Sequence, residues 1–426
     1  MDADRGKRIV SAAKSLKGYR AADPYLAAHL HAVFLAGRAG LLAAAIRSHR
    51  LTLEKLITLA AAEGFSPLDL RQTLLPWLES AGLVEVDRMS DEVVSVRSII
   101  LNYENILTAV ARLYESLDPT EADRGCLDVL KMVASLPCPE SEVQQAVAAA
   151  HGEEVANLSI TLCKSFKLVE CRSGKGLAES YLYSSRLWAS CINNAAPALS
   201  SLSTTDRAVL LEVVEQVRKY QGMPKKYLLE FARKHNAERV LNIAIGVQLL
   251  HETRIQMSSG SVRAFLTTPH FYEDMEQEHG EDVCDRVKIF LDSIRNGQHY
   301  GSLGTGRILN PERLINGLLT RGQIGPCTAI GTDYMTSEKA GIVKVVRSSP
   351  GSSRCYLELV QEDTVRKVYD VITKGTLDAA TEMNATHVQD GMAFLSIEET
   401  AFSRGEVPED VAEAERAIIL QLREGG

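Results

Sequence analysis

Across residues 53–62 the apolar positions Leu53, Leu56, Ile57, Leu59 and Ala60 recur at helical spacing, and the pattern breaks at Gly64-Phe65. Ser66-Pro67 restarts it, with serine as a cap and proline in the first turn. Leu68, Leu70, Leu74, Leu75, Trp77 and Leu78 then form a second apolar stripe up to Ser80. Beyond it the period shortens: Leu83, Val84 and Val86 precede the polar Arg88-Met89-Ser90-Asp91, and Val93, Val94 and Val96 follow. The pattern predicts helix, turn, helix and a two-stranded hairpin.

That order recurs. Ser80-Ala81-Gly82-Leu83-Val84-Glu85-Val86 matches Lys339-Ala340-Gly341-Ile342-Val343-Lys344-Val345. Between them stand Phe166-Lys167-Leu168-Val169-Glu170-Cys171 and the looser Thr253-Arg254-Ile255-Gln256-Met257, at nearly equal intervals. Around the second, helices are predicted over 126–136, 141–151 and 153–166, and strands at 169–171 and 181–183 flank Ser173-Gly174-Lys175-Gly176. The third unit reads as helices over 206–220, 225–235 and 237–250, with strands at 254–257 and 263–266. In the fourth, a helix over 283–296 and one capped by Asn310-Pro311 precede strands at 342–347 and 355–360. Helices near 101–117 and 193–202 would bridge the units.

Three short helices followed by a hairpin with a polar tip resemble the winged-helix family, a helix-turn-helix variant. The Ala-Gly-Leu-Val-Glu-Val turn carries the resemblance, because the third helix leaves it through a glycine into the first wing strand. The expected fold class is mainly α with short β-hairpins (α+β), a tandem array of about four winged-helix domains joined by bridging helices. Its divisions would be a basic segment and helix (1–49), winged helices at 50–118, 119–192, 193–272 and 273–361, and an acidic helical tail (362–426).

Charge sharpens this picture. The 426 residues carry 47 basic and 55 acidic side chains, a formal charge of -8. Residues 362–426 hold six basic and fourteen acidic groups, so the tail alone accounts for the imbalance. An overall acidic balance therefore does not exclude a polyanion partner for the body of the chain.

In winged-helix proteins the third helix enters a groove and the wing touches phosphate, which the resemblance carries over only where suitable residues stand. The first wing is acidic, with Asp87, Asp91 and Glu92 against Arg88, and suits a protein partner. Later wings are basic: Arg172 and Lys175; Arg254 and Arg263; Lys344, Arg347 and Arg354. Each could neutralise one phosphate and release counterions. Arg313 and Asn316 are candidate base readers, since arginine suits guanine and asparagine adenine.

The sequence thus points to a nonenzymatic nucleic-acid-binding protein, with double-stranded DNA favoured. The alternative is a scaffold subunit that docks proteins through its first winged helix and its tail, where residues 409–422 suit an amphipathic helix. No catalytic constellation, metal ligand set or cofactor motif emerges. Gly301-Ser302-Leu303-Gly304-Thr305-Gly306-Arg307 lacks the G-K-[ST] ending of a phosphate-binding loop, and the eight cysteines form no C-x-x-C pair. The apolar window 26–46 is interrupted by His29, His31 and Arg38, which argues against a membrane span. An intracellular location, in cytoplasm, nucleoid or nucleus, is expected.

Overall fold

The computed structural model describes residues 2–16, 28–46, 50–89, 92–99, 103–174, 177–257, 261–273, 281–302, 304, 306–373 and 391–395. The described chain is mainly helical with small antiparallel sheets, an α+β architecture. It divides into two compact units, Met1–Ser185 and Arg186–Gly426.

In the first unit the helices Asp2–Leu16, His31–Ala45 and Tyr103–Ser116 pack side by side. Glycine permits the close approach: a Cβ on Gly6 would stand 1.9 Å from the Leu107 carbonyl oxygen. Strand Arg50–Thr52 follows, then helix Leu53–Ala62 and the helical run from Pro67 to Ser80. Ser66 caps that run as its sequence suggests: its Oγ accepts from the Asp69 N–H at 3.1 Å while its own N–H donates to Asp69 Oδ2 at 3.0 Å. Within the run, Leu70–Leu74 widens to a π-turn just before Pro76. Proline has no N–H for the regular ladder, so the wider turn accommodates it.

Strands Val84–Met89 and Glu92–Ser98 form the hairpin, and the sheet order is first, third, second strand. The same order recurs in a second group, helices Glu121–Ser135, Glu140–His151 and Glu153–Ser165 with strands Cys138–Pro139, Glu170–Arg172 and Tyr181–Tyr183. One apolar core, with members from Ile9 to Leu182, underlies both groups.

The second unit holds a third group: helices Thr204–Lys219, Lys225–Lys234 and Glu238–Gly246, with strands Met223–Pro224, His251–Met257 and Val262–Thr267. Its strand order again places the third between the first and second. The fourth group has helix Pro311–Arg321, strand Gln323–Cys327, the short helices Ile330–Asp333 and Met335–Lys339, and strands Val343–Arg347 and Cys355–Leu359 in the same order. Its core includes Phe290, Ile294, Ile315, Ile342, Leu357 and Val365.

The repeat has a shared backbone device. Gly82 and Gly341 take φ of 66° and 70° where the helical segment ends and the first hairpin strand begins. Lys167 and Gln248 occupy the matching places with φ of 53° and 62°. Left-handed backbone favours glycine, so the two middle repeats adopt the turn with side chains that obscure it in sequence. Similarly, Gly64, Gly152 and Asn236 turn the chain between the two helices of the first three groups, at φ of 76°, 90° and 54°.

The acidic tail begins with helix Glu362–Thr373, which packs against Pro311–Arg321. Its Gly391–Leu395 segment is instead a strand, paired antiparallel with His251–Met257. An edge strand offers unpaired backbone groups, and this uncharged stretch of tail satisfies them. Residues 409–422 lie outside the described residues.

Candidate nucleic-acid interface

The structure separates the nine sequence-selected residues by environment. Arg172 is exposed on strand Glu170–Arg172, its Cα opposite that of Tyr181, and Lys175 lies outside the described residues. Lys344 and Arg347 are exposed on strand Val343–Arg347. Lys344 faces Glu358 across the ladder, so its charge is partly offset. Arg354 is exposed but tied down: its Nε and Nη2 donate to the Pro326 carbonyl at 3.2 and 2.7 Å.

Arg254 is not a free wing cation. Its Nε donates to Glu252 Oε1 at 2.7 Å, and Lys225 Nζ donates to Glu252 Oε2 at 2.6 Å. The Glu252 side chain is only 3 % exposed, so it needs both cations. The signal was present in the sequence, because residues two apart in a strand share a face.

Arg263 turns inward as well. Its Nη1 donates to Asn296 Oδ1 at 2.6 Å, and its guanidinium lies 4.5 Å from the centre of the Tyr300 ring. Arg313 and Asn316 are exposed on Pro311–Arg321, which precedes the first strand of its sheet instead of the hairpin. Arg313 also lines a cavity of about 390 Å³ with Arg321, Asn310, Ile324 and Tyr334.

Sequence reasoning missed a polar spine on helix Glu281–His299. Lys288, Asp292 and Asn296 stand four apart and are all buried, as are Ser293 and Arg295. This face packs against the third group's sheet and loops. Thr253 Oγ1 donates to Asp292 Oδ2 at 2.6 Å. Burial pushes the Asp292 carboxyl up to about 7, against the opposing Thr253 hydrogen bond and the charges of Lys288 and Arg295. Arg295 donates from Nε to the Gln221 carbonyl at 3.1 Å and lies 3.7 Å from the Tyr220 ring centre.

His299 ends the spine between two phenols, with Nε2 2.7 Å from Tyr220 Oη and Nδ1 3.2 Å from Tyr227 Oη. Tyr220 Oη also donates to Gln298 at 2.8 Å, which assigns the neutral imidazole with its proton on Nε2. Burial, then the charges of Arg295, Lys226 and Arg307, hold His299 down to about 3.

Among the described residues no helix is long and apolar enough to cross a membrane. Comparison with protein-family models, with curated proteins and with solved structures gives no match.

Proposed function

We propose that the four helix–sheet groups are winged-helix units and that the chain is a nonenzymatic nucleic-acid-binding protein, with double-stranded DNA as the favoured target. The observation that carries this reading is the exposure of Arg172, Lys344 and Arg347 on hairpin strands of the second and fourth groups. Such cations exchange counterions for phosphates at little cost in desolvation. Binding of a duplex should weaken linearly in log K against log salt. The K344Q/R347Q variant should lose slope by roughly 0.9 per phosphate contact removed. A flat salt dependence overturns the reading.

A second role rests on the first group. Its wing cations are neutralised internally: Arg88 donates twice to Glu79, at 2.8 and 2.7 Å, and Arg97 pairs with Glu85. Leu68, Met89, Val94 and Ile99 are exposed apolar side chains in the same group. Such a surface suits a protein partner, so we assign docking to the first group and phosphate contact to the later ones. The L68S/M89S variant should leave duplex affinity unchanged while abolishing association with any partner that co-purifies with the parent chain.

A further inference from the structure

Lys226 and Arg263 come from separate elements and meet at the Tyr300 ring, and the charge of Arg307, from a third segment, acts on Lys226. Lys226 lies in the first turn of Lys225–Lys234, with Nζ 3.7 Å from the centre of the Tyr300 ring and 5.1 Å from that of Tyr227. Arg263, on strand Val262–Thr267, lies 4.5 Å from the same Tyr300 centre. Arg307 donates from Nε to the Gln298 carbonyl at 3.1 Å, which leaves its terminal nitrogens for other partners.

The glycine-rich segment explains why Arg307 is there. The N–H groups of Gly306 and Arg307 both donate to the Ser302 carbonyl, at 3.1 and 2.9 Å, and Ile308 N–H returns to the Gly297 carbonyl at 3.1 Å. Gly306 has φ of 121°, and a Cβ on Gly301 would stand 2.4 Å from the Gly297 carbonyl oxygen. The glycines therefore fold the chain back onto the end of helix Glu281–His299 and place Arg307 where its charge reaches Lys226.

This arrangement is unfavourable on its own terms. All three cations are partly buried, and among the described residues none forms an ion pair with a carboxylate. Burial and the nearby charges of Arg263 and Arg307 lower the Lys226 ammonium from its usual range, while Glu230 acts in the opposite sense. Asp333 exerts the corresponding raising field on Arg263, after the larger effect of burial. Tyr300 offsets part of the cost through its ring face. Half-buried like charges without a paired carboxylate suit a site completed by an anion.

We propose that Lys226, Arg263 and Arg307 bind a phosphate monoester dianion, with Tyr300 as the floor of the site. A compact dianion matches clustered lysine and arginine donors, and bidentate contact with arginine favours phosphate geometry. The phosphoryl group could come from a free small molecule or from the 5′ end of a nucleic-acid strand, and the chemistry of recognition is the same. The site shares no residue with the exposed wing cations, so it does not depend on the duplex-binding reading.

The test uses the full chain at low ionic strength. Thermal melting and calorimetric titration with inorganic phosphate form one arm. The other compares duplexes of one sequence bearing a 5′-phosphate or a 5′-hydroxyl. A phosphate-dependent rise in Tm is expected, and K226Q and R307Q should each weaken that binding at least tenfold. Without phosphate, both variants should melt at or above the parent temperature, because removing one cation relieves repulsion. Preference for the 5′-phosphorylated duplex that K226Q abolishes identifies a strand end. Equal duplex binding with a retained phosphate shift identifies a free small anion. The proposal is overturned if neither arm responds, or if the K226Q/R307Q double variant responds like the parent. Because the phosphate arm contains no nucleic acid, its failure is distinct from failure of duplex binding.

Discussion

Arg263 donates a 2.6 Å hydrogen bond to Asn296, which ties a hairpin strand of the third group to the long helix Glu281–His299. A charge that reads as a wing contact in sequence is thereby part of the interior. R263Q should lower Tm, and R254Q should do the same by leaving the buried Glu252 with Lys225 alone. Leaving a buried charge wholly unpaired costs about 3–5 kcal/mol, and R254Q should cost less because Lys225 still pairs with Glu252. By contrast, R172Q and K344Q should leave Tm within error while weakening duplex binding. Parallel melting and binding measurements on the four variants separate the two classes. If R254Q and R263Q melt like the parent, their internal assignment fails.

Lys167 takes a left-handed conformation that glycine provides in the first and fourth repeats. Its side chain is exposed, so little packing is lost on its removal. K167G should therefore stabilise the protein, by about 0.5–1 kcal/mol, as relief of left-handed strain outweighs the added chain entropy. Chemical denaturation checks this. A destabilised K167G would show that the lysine contributes more than its backbone costs.

At Gly6 the opposite result is expected. A methyl group there would meet the Leu107 carbonyl at 1.9 Å, and backbone cannot move aside as a flexible side chain would. G6A should cost at least about 1–3 kcal/mol through separation of the two helices, despite alanine's better helix propensity. A midpoint equal to that of the parent in urea would contradict this packing.

Three histidines make opposing contributions to pH dependence. His251 and His299 are held down to about 3, chiefly by burial, so the folded state keeps them neutral. Their contribution is present above the unfolded value near 6.5 and is lost as pH falls from there towards 3. Between pH 6.5 and 4.5 each should cost about 2–3 kcal/mol. H299Q should therefore show a smaller fall in Tm between pH 7.5 and pH 4.5 than the parent. His151 is raised, first by Asp128 and then by Glu121, after the opposing effect of burial. Its contribution is full below the unfolded value and fades as pH rises through the folded one. H151Q should lower Tm slightly at pH 5.5 and not at pH 9. An H299Q variant with the parent's acid profile would remove the buried-histidine explanation.

Much of the local structure was legible. Ser66 and Asn310 cap the helices their positions suggest, and Gly82 and Gly341 end matching segments with the same backbone turn. The third repeat was harder to align because Gln248, a residue with no glycine signal, makes its turn. In the fourth, Asn310-Pro311 marks a true helix start, but local signals could not say that this helix precedes the first strand of its sheet. Only strand pairing from Gln323–Cys327 to Cys355–Leu359 fixes that order.

What the sequence determined by itself was the alternation of helix and hairpin, since periodicity and capping act over a few residues. The fate of each charge was decided in three dimensions. Lys288, Asp292, Arg295 and Asn296 are charged or polar and are nevertheless buried in the fold. Lys226 and Arg263 meet at the Tyr300 ring although 37 positions separate them in sequence. Burial and long-range pairing set the energy of a charge, and neither is a property of its sequence neighbours.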